Sequence, residues 1–407
     1  MDRIIFHVDV NSAFLSWSAV YRIRELGETD DLRTVPSIVG GDEMSRRGIV
    51  LAKSVPAASY GIKTAEPVAS ARRKCPGLIV VPSDYRTYKR YSDQFISLLG
   101  KYSDNIIQYS IDEAWVVFDG YESMYGDMVK FAYSLKDEIK ETLGFTVNIG
   151  VSTQFILAKM AGDFSKPDKV HTLFPDEVKT KMWPLPVSDM LYAGKSMTKA
   201  MRNLGIITIE DLAKSDRSVI EGNLGKFGVA LWEYANGADI DPTGYDEGIQ
   251  KGYGHSTTTA VNVEDYETAE KVIDSLCDSV CRRLREDKVV GGCVSVSVRY
   301  SDFSHVSRQM TIDRSTADAV EIRKKSMELL RCVWDGRRPI RQLGVRVSKI
   351  DRDEYHQMSL FEDYKGGYLY SDSKAEVAYE KKAKAEAAMD ALRKKMGKDI
   401  VKRGNQL

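Results

Sequence analysis

The stretch Ile4-Ile5-Phe6-His7-Val8-Asp9-Val10-Asn11 decides the fold. Ile4, Phe6, Val8 and Val10 alternate with Ile5, His7, Asp9 and Asn11, the period of two that marks a strand with one apolar face. Asp9 then points away from that core. Two further runs, Ile106 to Ile111 and Trp115 to Phe118, flank the acidic pair Asp112 and Glu113 and read as antiparallel strands with the pair at or near their junction. A helical segment from Tyr125 to Leu143 follows, then a strand from Phe145 to Ser152 and a helix from Gln154 to about Ser165, stopped by Pro167. The order is strand, long insertion, two strands, helix, strand, helix, which is a ferredoxin-like strand order.

Composition frames this reading. The 407 residues exceed the ~100–200 of one ordinary domain, so two to four domains are expected. Hydrophobic residues make up 43% and charged residues 29%, which excludes disorder throughout. The longest uncharged run, Thr142 to Ala158, is broken by Gly, Asn, Ser and Gln, and the first residues lack a basic region followed by an apolar stretch. No membrane association and a cytoplasmic location are the expectation. Lys plus Arg equals Asp plus Glu, 59 against 59, so only local clustering can attract a polyanion. The five cysteines form no zinc-like doublet set and read as reduced core thiols.

After Trp183-Pro184-Leu185-Pro186 short helical elements alternate with Gly194, Gly205, Gly222, Gly225 and Gly228, as in a small α domain. Glycine-rich sequence around residues 237–250 reads as a linker. A second α+β unit follows to Ile350, with helices near Asp265–Glu286 and Thr316–Trp334 and strands at Cys293–Tyr300 and Leu343–Ile350. The end of the chain, from Ser373, is rich in Lys, Glu and Ala and reads as a solvated helix or tail.

Asp9, Asp112 and Glu113 carry the sharpest chemical signal. Adjacent strands lie ~5 Å apart, so carboxylates from both can converge on one ion. Mg²⁺ takes hard oxygen ligands, usually one or two carboxylates plus phosphate oxygens, and a pair of such ions clamps an in-line phosphoryl displacement. Taken singly, each acid is an ordinary solvated strand-end residue. Taken together, the three point to phosphoryl or nucleotidyl transfer.

The runs Val8-Asp9-Val10-Asn11-Ser12-Ala13-Phe14 and Tyr109-Ser110-Ile111-Asp112-Glu113-Ala114 closely resemble the Y-family translesion DNA polymerases of the DNA polymerase IV and V type. So do Gly150-Val151-Ser152, Leu157-Ala158-Lys159 and Ser165-Lys166-Pro167. The resemblance runs from residue 1 to about 361. It implies an α+β multi-domain, right-hand polymerase: a ferredoxin-like palm (1–12 and 80–172), small fingers (13–79), a helical thumb (173–236), a linker (237–250), an α+β little finger (251–350) and a tail (351–407). It implies that Asp9, Asp112 and Glu113 are the catalytic acids and, with the Val10 carbonyl, the ligands of two Mg²⁺ ions per active site. Phe14 matches a steric gate that excludes a ribose 2′-hydroxyl, and Lys166 matches a lysine on the incoming dNTP triphosphate. The Ser12 and Ala13 amides follow the strand, where turning backbone offers N–H groups to phosphate.

Some positions depart from the family pattern. Val55 and Ala58 stand where many relatives carry a Tyr and an Arg that grip the triphosphate, with Lys53 or Arg46-Arg47 as electrostatic substitutes. Asn11 stands where many relatives have Asp.

For DNA, Arg337, Arg338, Arg341, Arg346 and Lys349 form an acid-free stretch able to neutralise phosphates, and Arg282, Arg283 and Arg285 form a second cluster. The thumb segment at Gly194 and Lys195 resembles a helix-hairpin-helix, with Tyr192 replacing its first glycine. Gln357-Met358-Ser359-Leu360-Phe361 resembles the peptide that docks these polymerases on the sliding clamp, with Gln357, Leu360 and Phe361 as anchors. The expected protein is a monomer that binds primer-template DNA and dNTPs and extends primers in the error-prone translesion manner, without proofreading. The competing expectation is a clamp-tethered DNA-binding accessory factor of weak or no polymerase activity, which Val55, Ala58 and Tyr192 favour.

Overall fold

The computed structural model describes residues 3–41, 48–120, 122–242, 250–352, 385, 388–392 and 395–396. The chain divides into two compact units, Met1–Glu247 and Gly248–Leu407.

In the first unit the decisive strand, Ile4–Val10, lies at the centre of a five-stranded sheet. Its neighbours are Glu113–Phe118 and Val147–Ser152, both antiparallel to it, with Ile106–Gln108 and Val170–Thr172 at the two edges. The alternation is as expected, but both faces are covered. Phe6, Val8 and Val10 pack with Trp17, Tyr88, Phe95, Leu135 and Ile139 of three helices, Ala13–Glu25, Tyr85–Leu99 and Met128–Leu143. Ile5, Trp115 and Val117 face the other way, against Ile156, Leu157 and Met160 of the helix Phe155–Gly162. The expected polar face of the strand is therefore itself buried, with His7 2% exposed, because that apolar helix lies across it.

Gly150 makes this close approach possible. A Cβ there would lie 1.9 Å from the Ala158 carbonyl oxygen and 2.5 Å from the Gly162 nitrogen, far inside contact distance. Only a residue without a side chain lets strand and helix meet.

A smaller sheet of Ser37–Gly40, Val50–Lys53 and Ile79–Val81 carries its own core of Ile38, Val50, Ala57, Val68 and Leu78. The helix Ala13–Glu25 joins this region to the large sheet, sharing one core with Val39 and Ala52. Helices Lys195–Asn203, Ile209–Lys214 and Arg217–Ala235 continue the core on the Ile5 side, the last kinked at Gly225 with φ 65°.

The second unit is a four-stranded sheet with two helices, Tyr266–Glu286 and Ala319–Val333, sharing one core with it. Val289–Tyr300 and Ile340–Arg352 are central strands, and Gly252–Val263 and His305–Thr316 are the edges. Among the described residues no helix is long and apolar enough to cross a membrane.

Candidate active site

Strand pairing builds the site. Asp9 and Glu113 are register partners across the central antiparallel pair, which sets their side chains on the same sheet face. Asp112 lies in the turn just before Glu113, and its backbone carbonyl accepts a 3.0 Å hydrogen bond from the Val10 N–H. Ser110 Oγ donates to Asp112 Oδ1 at 2.6 Å. The three acids predicted from sequence thus gather at one end of the central strands.

Each strand carboxylate has a lysine. Lys166 Nζ is bonded to Asp9 and, at 2.9 Å, to Asp163. Lys159 Nζ is bonded to Glu113, which also meets His7 Nε2 at 3.2 Å. Burial pushes the Asp9 carboxyl up to about 6, with Glu113 and Asp112 adding to the rise and Lys166 opposing it. For Glu113 burial also pushes upward, but the His7 hydrogen bond and the Lys159 charge outweigh it and bring the acid down to about 2. His7 is held near 4 chiefly by burial, so it is neutral at pH 7, and its Nε2 lies between Glu113, at 3.2 Å, and Lys159 Nζ, at 3.3 Å.

Lys159 and His7 were given no role by the sequence reading. A signal was present for each. Lys159 is the one cation in the otherwise apolar helix Phe-Ile-Leu-Ala-Lys-Met-Ala-Gly and is 8% exposed, and a lysine is buried only with a partner. His7 shares the strand parity of Asp9. Lys159 Nζ also lies 4.8 Å from the Tyr109 ring centroid, in cation–π range.

Among the described residues no three His, Cys, Asp or Glu side chains close on a point as an all-protein metal cage. Mg²⁺ is rarely held that way. One or two carboxylates combine with substrate phosphates. The oxygen donor set, with an Asp9 whose ionised form burial disfavours and a neighbouring cation favours, fits a hard divalent ion.

Around this centre, Ser12 begins the helix Ala13–Glu25 in a left-handed conformation (φ 47°), and no side chain caps that helix. The first amides of a helix have no carbonyl partner within it, so Ala13 and Phe14 sit where an anion is favoured. The Phe14 ring stacks on Tyr88, with centroids 4.7 Å apart at 19°, and meets Tyr85 edge-on at 5.7 Å. Lys53 Nζ reaches Thr64 Oγ1 at 3.5 Å. Val55 and Ala58 lie on the exposed side of the short helix Val55–Ser59. Arg46 and Arg47 lie outside the described residues.

Gly194 stands at the start of the helix Lys195–Asn203, beside a cleft of about 500 Å³ whose lining includes Lys195, Lys199 and Arg202 and no acid among the described residues. Tyr192 adopts φ 70°, the conformation a glycine would hold there without cost.

Among the described residues, one face of the second unit's sheet lies opposite the core it shares with the two helices. Register brings Ser295, Ser297 and Arg299 beside Arg346, Gly344 and Gln342, with Gly254, Ser256 and Thr258 on the next strand. Arg346 and Arg299 are exposed on it, whereas the neighbouring Val294, Val296, Val345 and Val347 are buried. Arg299 belongs to this surface and was missed because it stands alone in an apolar run. The other expected cations differ. Arg338 is 2.8 Å from Asp302 and lies over Tyr300, Arg341 lies over Phe303, and Arg337 is exposed beside Asp335. Of the second cluster, Arg282 faces Glu286, Arg283 donates to the Gly254 carbonyl and Arg285 to Asp390, so the fold itself uses these charges. Gln357, Leu360 and Phe361 lie outside the described residues.

A sheet presenting paired acids, followed by a separate sheet with a basic, hydroxyl-rich face, defines a class that the comparisons specify. Residues 8–163 match the impB/mucB/samB family and residues 250–360 match the C-terminal domain of that family. The chain belongs to this family, the Y-family polymerases. Among its relatives, DNA polymerase IV of Clostridium acetobutylicum is 40% identical over 405 residues, covering 99% of this chain and 98% of the relative. DNA polymerase IV of Acetivibrio thermocellus is 33% identical over 99% of this chain and 97% of its own length. In fold the chain is similar to a Y-family DNA polymerase chimera, with a TM-score of 0.71 at 24% identity over 86% of this chain and 100% of that one. DinB from Sulfolobus solfataricus matches with a TM-score of 0.51 at 24% identity over 85% and 98%.

Proposed function

We propose that the protein is a template-directed DNA polymerase of the translesion type, which adds dNTPs to a primer 3′ end. The observation that carries this reading is the cross-strand pair Asp9 and Glu113, with Asp112 in the adjoining turn and Lys166 at the same site. Asp9, Asp112 and Glu113, with the Val10 carbonyl, would hold Mg²⁺, two ions per site. Bound Mg²⁺ supplies the Lewis acidity that makes a primer hydroxyl nucleophilic at neutral pH and offsets charge on the triphosphate.

The chain's own groups do the rest. Lys166, freed from Asp9 when another cation takes that place, binds the triphosphate, and the first amides of the helix at Ser12 and Ala13 bind its oxygens. Lys53 contributes a further positive charge near the nucleotide. Phe14, braced by Tyr88, excludes a ribose 2′-hydroxyl. DNA backbone is held at Gly194 and Lys195 of the thumb and at Arg337, Arg338, Arg341 and Arg346 of the second unit, without base readout. Residues 357–361 dock on the sliding clamp, and the protein acts as a monomer without proofreading.

Primer extension with Mg²⁺ and four dNTPs tests the reading, on undamaged and damaged templates. Wild type extends and Asp112→Ala does not, and equal extension by both would overturn the assignment. One observation favours the accessory-factor reading: the exposed face of the helix Val55–Ser59 offers no polar group at Val55 or Ala58. That reading expects DNA binding with no extension by wild type.

A further inference from the structure

Asn11 and Asn148 form a buried amide pair whose orientation is set entirely by backbone groups. Asn11 Oδ1 accepts the Asp168 N–H at 2.9 Å, a donor that cannot reverse, so its Nδ2 must face Asn148 Oδ1, 3.1 Å away. Asn148 Oδ1 also accepts the Lys169 N–H at 3.3 Å. Its Nδ2 donates to the carbonyls of Ser165, at 2.6 Å, and Gly162, at 3.0 Å. Thr146 Oγ1 donates to Asn11 Oδ1 at 3.0 Å, and Ser16 Oγ donates to the Asn11 carbonyl at 2.6 Å.

Three of the backbone groups so held, those of Ser165, Asp168 and Lys169, bracket Lys166. From outside, Lys136 and Lys140 bind the Asp168 carboxylate at 2.8 and 3.0 Å. The loop is thereby clamped on both sides, and the residue at its centre points its ammonium at Asp9. Asn148 is also the register partner of Asp9 across the central strands, but the hydrogen bonds of the pair's side chains run to the Lys166 loop and to Thr146.

We propose that Asn11 and Asn148 are positioning residues for Lys166, and through it set the affinity for the triphosphate of the incoming nucleotide. The proposal rests on the reading that Lys166 contacts that triphosphate. It also gives Asn11 a positive role. An aspartate at this position would set two acceptors 3.1 Å apart, because Asn148 cannot turn its amide without abandoning the Ser165 and Gly162 carbonyls.

The test is steady-state dNTP incorporation by the full chain on a primer-template, with melting temperature measured in parallel. Asn148→Ala and the isosteric Asn11→Asp each raise the KM for dNTP about tenfold, the scale of a lost buried hydrogen bond, while kcat is largely kept. Lys166→Ala raises it by at least as much. The decisive arms are the double variants, Asn148→Ala with Lys166→Ala and Asn11→Asp with Lys166→Ala. Each has a KM within about twofold of Lys166→Ala alone, because a clamp has no effect once the clamped group is gone. Multiplying penalties in both doubles, or single variants that lower the melting temperature with KM unchanged, would overturn the clamp. An unchanged KM in Lys166→Ala itself would instead remove the phosphate contact, and the clamp with it. If Asn148→Ala fails to fold, Asn11→Asp and its double decide the matter alone.

Discussion

Asp9 and Glu113 stand opposite each other on neighbouring strands, yet their surroundings drive their acidities apart, one up to about 6 and the other down to about 2. Two carboxylates with divergent environments suit a division of labour. Glu113, fixed by His7 and Lys159, is charged at all working pH values. Asp9, paired with a half-exposed lysine, is the one that burial brings within reach of protonation near pH 6.

The two acids therefore differ in what their removal does to stability. Asp9→Asn abolishes extension, by about a thousandfold or more if several kcal/mol of electrostatic help are lost, but leaves the melting temperature level or higher. Glu113→Gln also abolishes extension, and in addition strands the buried Lys159 charge, lowering stability by roughly 3 kcal/mol. Equal melting temperatures for the two variants would contradict this asymmetry.

The pH dependence follows with a definite sign. Asp9 titrates near 6 in the fold against an ordinary value of 3.8, so the fold prefers its protonated form. Its contribution to stability without metal is complete below pH ~4 and is lost as pH rises through about 6. Metal binding needs the ionised form and runs the other way. The Mg²⁺ concentration giving half-maximal extension should rise about tenfold for each pH unit below 6 and level off above 7. A Mg²⁺ titration at several pH values between 5 and 8 reads this directly, and a flat response would refute it.

Gly150 is the tightest point of the scaffold under these acids. Gly150→Ala drives a methyl into the Ala158 carbonyl, which must push the helix carrying Lys159 off the sheet. The expected cost is at least ~3 kcal/mol, seen as a lower denaturation midpoint, with loss of extension at temperatures where the variant is still folded. Wild-type stability in Gly150→Ala would show that helix and strand are less closely held.

Legibility followed burial. The central strand, the acidic turn and the helices from Met128 and Tyr266 carry strong periodic patterns and were placed to within a few residues. The strands Gly252–Val263 and His305–Thr316 were not read at all. Both are edge strands, one side unpaired, and their sequences are mostly Ser, Thr, Gly and charged residues with little apolar alternation to mark them. At the site the acids were visible as residue types in a pattern. Their partners were not, because His7, Lys159 and Asn148 meet them only through strand register and a helix crossing, which no local spacing encodes.

The sheet face of the second unit that carries Arg299 and Arg346 predicts a measurable ionic contribution. If Arg299 and Arg346 each neutralise one phosphate, Arg299→Ala and Arg346→Ala should each reduce the slope of log binding constant against log salt by about 1. Serine and glycine around them leave room for a backbone to approach. Arg285→Ala, whose charge faces Asp390, should leave the slope unchanged. Fluorescence anisotropy with a labelled primer-template across a salt series separates these outcomes, and equal slopes for all three variants would remove this face from the DNA surface.

The last prediction concerns sugar selection at Phe14. Its ring cannot retreat, because Tyr88 lies flat against it and is itself buried, with its hydroxyl 3.1 Å from Ser18 Oγ. Ser18 Oγ in turn donates to the Phe14 carbonyl at 2.7 Å, tying the backbone of Phe14 to the same support. A 2′-hydroxyl approaching a ring so backed meets a wall, and steric exclusion of one small group is worth ~1–3 kcal/mol. Phe14→Ala should therefore raise the ratio of kcat/KM for ribonucleotides over deoxyribonucleotides by roughly tenfold or more. Phe14→Leu, which keeps some bulk, should fall between. Both variants should keep deoxyribonucleotide insertion, since the acids and Lys166 are untouched. A sugar ratio unchanged in Phe14→Ala, with insertion intact, would mean that another group reads the sugar and that the Phe14 ring serves only the core.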